Sequence, residues 1–139
     1  MTSAEFITKL RPLLAARAGL AGVAIHDAWT RDVASPAIVL VRARVRHDIS
    51  WQAMGPQRWD MVTIPGLVVT TADTVQAAAD AALDICAEIG LQLKTAPPSV
   101  GAQTLMASLE TIGWLPYPSD KGGWTCDTEF DITYKSNIP

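Results

Sequence analysis

Between Asp73 and Pro97 the chain places apolar residues on one side only. Val75, Ala79, Ala82, Cys86, Ile89 and Leu93 follow one another at three- and four-residue steps, the spacing of a single helical face. A helix of this kind gains most of its stability by packing that face against a second apolar layer. Its alanines permit close approach to a sheet. Asp73 reads as the N-cap, Gln76 three residues on completes a capping box, and Pro97-Pro98 stops the helix. The rest of the chain must therefore supply a sheet with one apolar face.

The flanking sequence supplies it. Ser3 opens a first helix with Phe6, Ile7, Leu10, Leu13 and Leu14 as its stripe, and Pro12 is expected to kink or split it before Gly19 and Gly22 end the segment. Val23 to His26 reads as a short strand, and Pro36 introduces the strongest one, Ala37 to Arg46. Trp59 to Thr70 follows, with Pro65-Gly66 marking an edge, a bulge or a bend. Gln103 to Leu115 fits both periods; a strand is preferred because the next segment needs a partner. Pro116 to Gly123 is read as a loop and Trp124 to Lys135 as the closing strand. The expectation is one α+β domain over residues 1–139, with two helices packed on a mostly antiparallel sheet of about four to five strands.

Charge is patterned as strictly as hydrophobicity. In Val39-Leu40-Val41-Arg42-Ala43-Arg44-Val45-Arg46 a strand would project Arg42, Arg44 and Arg46 from one face, about 7 Å apart. The formal charge of -3 argues against a general nucleic-acid binder, which is usually basic. A closer set of anions lies in the last strand, where Asp127, Glu129 and Asp131 share one face and Phe130 and Ile132 the other. Neighbouring strands bearing these two sets would gain roughly 0.2–1 kcal/mol per opposite-charge pair. Between copies, the same match would set the register of a subunit interface. On the Ala-rich helix, Asp80, Asp84 and Glu88 form an acidic row at four-residue steps, either a solvated face or a surface for something basic.

Signals for catalysis are sparse. His26 and His47 each precede an aspartate, but adjacent strand residues point to opposite faces, so neither pair is a ready-made dyad. No phosphate loop, nucleophile elbow or zinc spacing is present. Cys86 and Cys126 read as reduced structural thiols. No enzyme activity and no cofactor are expected. No apolar run reaches the roughly 18 residues that span a bilayer, and Glu5 stands where a signal peptide would be basic and then apolar. Of the five tryptophans, Trp29, Trp51 and Trp59 flank expected loops, where protein interfaces recruit aromatics.

Several segments together carry a family resemblance: "GLAGVAIHDAW" at Gly19 to Trp29, "PAIVLVRARV" at Pro36 to Val45, and "DMVTIPGLVV" at Asp60 to Val69. "ADTVQAAADAALDICAEI" at Ala72 to Ile89 and "TEFDITYK" at Thr128 to Lys135 complete the set. With the amphipathic N-terminal helix, these make the chain resemble the tail-terminator proteins of long-tailed bacteriophages. The resemblance covers nearly the whole chain by pattern, and "TIPG" before a short strand and an Ala-rich helix is its most specific part. It implies a structural virion protein, built in the host cytoplasm, that forms a six-membered ring on the end of the tail tube. The implied partners are further copies of the chain, the tail-tube protein and the head connector or stopper, with DNA passing through the ring without specific binding. A head-completion or connector protein is the neighbouring alternative; a nucleic-acid module or small enzyme stands further off. No residue signature comes with the family, so the two charged strand faces, the three loop-edge tryptophans and the acidic helical row are the interface candidates.

Overall fold

Two strands of 15 residues, β4 (Arg58–Ala72) and β8 (Trp124–Ile138), pair antiparallel along their whole length and form the spine of the molecule. The computed structural model describes residues 3–28, 35–51, 58–100, 103–104 and 107–138. Around the spine lie β1 (Ala24–His26), β2 (Ala37–Leu40), β3 (Arg46–Trp51) and β7 (Ala107–Pro118). The sheet order is β1-β2-β4-β8-β7, with β3 also on β4. The β1–β2 pair is parallel and every other pair of this sheet antiparallel. β5 (Ser99–Val100) and β6 (Gln103–Thr104) form a separate two-stranded ladder. The architecture is the expected α+β domain, with six strands in the main sheet.

One face of the spine is apolar because side chains alternate. Val62, Ile64 and Val68 of β4 and Phe130, Ile132 and Tyr134 of β8 are buried. Against them lie α1 (Ser3–Ala15) and α2 (Val75–Thr95). α1 contributes Phe6, Ile7, Leu10 and Leu14, and the Phe6 ring stacks on Tyr134 with centroids 4.1 Å apart. α2 buries Ala78, Ala82, Ile85, Cys86, Ile89 and Leu93, so the layer expected from the sequence forms. Its cap falls one residue later than expected: the Thr74 hydroxyl, not Asp73, accepts from the Ala77 amide at 3.1 Å. α1 is not split by Pro12, whose ring is exposed in the last turn.

The largest departure concerns the stretch expected as one strand, Ala37 to Arg46. β2 ends at Leu40, and Arg42–Arg44 form a 3-10 turn. β2 and β3 are two runs against the same side of β4, Leu40 opposite Gly66 and Arg46 opposite Thr63. Between them the β2–β3 segment spends residues 41–45 where β4 spends only 64 and 65, and the surplus coils outward. The Val41 amide donates to the Pro65 carbonyl at 2.8 Å. Pro65 therefore presents to this gap the side on which its amide hydrogen is missing, which is how a central strand tolerates a proline.

The end of the last hairpin also differs. β7 runs on through Pro116 to Pro118, leaving a connection of only Ser119 to Gly123. Gly122 and Gly123 there adopt left-handed φ values of 87° and 76°, and the Ser119 amide donates to the Gly123 carbonyl at 3.0 Å.

Candidate functional site

The 3-10 turn scatters the arginines that a strand would have aligned. Arg42 Nη2 lies 2.9 Å from Asp27 Oδ2, which Arg11 Nη1 also approaches at 3.5 Å. Arg46, on β3, reaches Asp131 of its own chain at 3.2 Å. Arg44 has no ion-pair partner among the described residues; it lines an open groove with Arg46, Leu67, Ile112, Glu129 and Asp131. Of the contacts expected between the arginines and the acidic face of β8, Arg46–Asp131 forms within the chain.

The acidic face of β8 is where the sequence placed it. Thr128, Phe130 and Ile132 are buried, and Asp127, Glu129 and Asp131 project from the face away from the helices. Asp127 accepts a hydrogen bond from the Tyr117 hydroxyl at 3.2 Å. Burial pushes its carboxyl above the usual range, with the Tyr117 hydrogen bond opposing.

The helical acidic row divides. Asp80 and Asp84 are exposed, while Glu88 Oε2 lies 2.6 Å from Arg17 Nε. Arg17 Nη1 also donates to Gln92 at 3.1 Å, so this cation pins α2 to the turn that follows α1. Of the loop-edge tryptophans, Trp29 lies outside the described residues. Trp51 and Trp59 take their places in β3 and β4 as backbone.

Sequence reasoning missed the most exposed apolar surface. β7 is an edge strand, and from it Ile112 (54 %), Trp114 (54 %), Leu115 (65 %) and Tyr117 (38 %) stand in solvent, with Trp124 beside them on β8. A bulge between Thr111 and Gly113 shifts the side-chain alternation, so Trp114 turns to the helix side and Leu115 and Tyr117 to the other. The prolines and the mixed periodicity at 103–118 were the signal: a strand that ends in Pro116 and Pro118 belongs at an edge. Patches of this sort on a folded protein mark contact surfaces.

Nothing comparable is arranged for catalysis among the described residues. His47 Nδ1 lies 2.7 Å from Asp60, a diagonal neighbour across the β3–β4 ladder rather than the adjacent Asp48, and no described hydroxyl or thiol hydrogen-bonds to this imidazole. No group of three His, Cys, Asp or Glu suited to a metal occurs among the described residues. Both cysteines are free and buried, and burial raises the Cys86 thiol to about 11.

No family model matches the chain, and no curated protein sequence matches it. Solved structures do. One, a chain from the virion of a native gene transfer agent particle, superposes with a TM-score of 0.54 over 93% of this chain and 93% of that chain, at 17% identity. This chain is similar in fold to that virion chain. A match of such length takes in both helices and the sheet, so the likeness is one of whole architecture.

Proposed function

We propose that the chain is a non-enzymatic structural subunit of a phage-like virion: the terminator that rings the end of the tail tube and offers the head its docking surface. The observation that carries this reading is the open apolar edge of β7, a surface that a free subunit exposes and an assembly covers. The fold likeness to a virion chain supports it, as does the resemblance in sequence pattern to tail terminators. Its partners are then other copies of itself in a six-membered ring, the tail-tube protein, and the head connector or stopper. Its place is the head–tail junction of the particle.

In such a ring the exposed Asp80 and Asp84 face either the lumen or a tube subunit. An acidic lumen repels the phosphate backbone and lets DNA slide through unbound. Arg44 and the Glu129 carboxylate remain for contacts with neighbours. The experiment is deletion of the gene from a particle-producing strain, followed by negative-stain imaging. Tails of uncontrolled length are the expected result. Normal tails beside unattached heads would instead assign the chain to head completion or the connector, and intact particles would remove it from the junction.

A further inference from the structure

The two ends of the main sheet are unlike. At one end lies the apolar edge of β7. At the other, β1 and α1 enclose a groove of about 470 Å³ with an apolar lining of Pro12, Ala15, Val23 and Ile25. We infer that copies of this chain associate head to tail, the β7 edge of one seating Leu115 and its neighbours in the α1–β1 groove of the next. The inference rests on the reading of the chain as a ring subunit, and names the surfaces that build the ring.

Charge complements shape. The groove holds two guanidinium groups, Arg11 and Arg42, on the single carboxylate of Asp27, and so carries an excess positive charge. The β7 edge carries the exposed Glu110, which has no basic partner among the described residues. Joining the two places an unpaired anion beside an under-neutralised cation pair.

The sizes limit what the groove can hold. Ile112 to Tyr117 spans about 17 Å of strand, and the helical wall from Thr8 to Ala15 about 11 Å. The groove therefore takes two or three side chains rather than a whole strand. Backbone pairing is hindered at the Pro116–Pro118 end of this edge. Pro116 and Pro118 lie in the β7–β8 ladder, so the amide positions they lack face outward. The contact therefore works through side chains. Because the two surfaces differ, the association is heterologous and propagates until the rotation closes it into a ring.

Cysteine cross-linking tests the contact, and the chain is suited to it because Cys86 and Cys126 are both buried. Leu115→Cys and Ala15→Cys are made singly, and each replaces an exposed side chain. The two variants are mixed under mild oxidation, both free in solution and bound to tail tubes. A disulfide-linked dimer is expected from the mixture and from neither variant alone, and the double variant should give a ladder ending at the ring number. Self-linking of Leu115→Cys would show a two-fold contact and overturn the inference, as would no cross-link in either setting. Capped tubes without the cross-link leave the terminator reading standing and remove this contact. A closed ladder that leaves tubes uncapped keeps the contact and removes the terminator reading. As a second measurement, Arg42→Glu should lower the association constant about tenfold and Glu110→Arg in the same chain should restore it; simple addition of the two losses would contradict the pairing.

Discussion

Gly66 of β4 lies directly across from Phe130 of β8, and the Phe130 ring occupies the space that a Cβ on Gly66 would enter. Phe130 is 1% exposed, so the ring has nowhere to move. Gly66→Ala should therefore cost about 1–3 kcal/mol, the usual penalty for overpacking a core, read as a drop in the urea midpoint. In a Phe130→Leu background the same substitution should cost clearly less. Equal costs in the two backgrounds would mean that the ring is not the reason for the glycine.

That pair also shows what the sequence could and could not disclose. The helical face from Val75 to Leu93 and the alternation of Asp127 to Ile132 were legible because each is a local period, and both elements formed as read. Pro65-Gly66 announced an irregularity. Its form was not legible, because it depends on which strands lie beside β4: β2 and β3 use one side of it with a surplus of residues between them. The arginines were misplaced for this reason. Their alternation is perfect in sequence, yet it falls on the surplus. The apolar edge of β7 was missed because a two-residue period assigns faces to a strand and says nothing of whether the strand has a neighbour on both sides.

The turn makes a second prediction. Deleting Arg42, Ala43 and Arg44 removes the residues by which the β2–β3 segment exceeds β4, so β2 and β3 would join in one register with their side-chain faces unchanged. The deletion variant should fold, with stability within about 1 kcal/mol of the parent, since a short exposed segment is lost and no core side chain is. Its self-association should weaken about tenfold, having lost Arg42 and with it the groove's excess positive charge. Loss of the far-ultraviolet circular dichroism spectrum would instead make the turn a structural requirement.

Arg17 and Glu88 give the third. Their side chains are 22% and 31% exposed and 2.6 Å apart, so the pair is shielded from solvent more than a surface bridge. Glu88→Gln should cost about 1 kcal/mol in thermal unfolding, less at high salt. Asp80→Asn should cost nothing measurable, because that carboxylate is exposed beside the like charge of Asp84. If Asp80→Asn and Glu88→Gln proved equally mild, the acidic row would be one uniform solvated face.

Asp127 carries a pH dependence of definite sign. Its folded pKa is raised by burial, so the native state binds the proton more tightly than the unfolded chain. The linkage term then lowers stability as pH rises from the ordinary carboxylate value of 3.8 through the raised one, and leaves the penalty fully in place at neutral pH. Asp127→Asn keeps an acceptor for the Tyr117 hydroxyl and removes the charge. It should melt higher than the parent at pH 7, and the advantage should disappear in acid below that window. A variant that melts lower at neutral pH would show that the hydrogen bond to the charged form outweighs burial.

The last prediction separates folding from assembly with two leucines, one buried and one exposed. Leu115 is 65% exposed and touches no buried cluster, whereas Leu10 is fully buried in the layer between α1 and the sheet. Leu10→Ala should cost about 2–5 kcal/mol of stability through the lost packing and the cavity it leaves. Leu115→Ser should leave stability within about 0.5 kcal/mol, as exposed positions do. Its cost belongs to the associated state: burying a leucine fully is worth about 1.5–3 kcal/mol, so the association constant should fall roughly ten- to a hundredfold. Sedimentation equilibrium on the two variants, beside their melting curves, measures both quantities. Self-association unchanged by Leu115→Ser would exclude the β7 edge from the subunit contact, since no other large apolar side chain of that strand is as open to solvent.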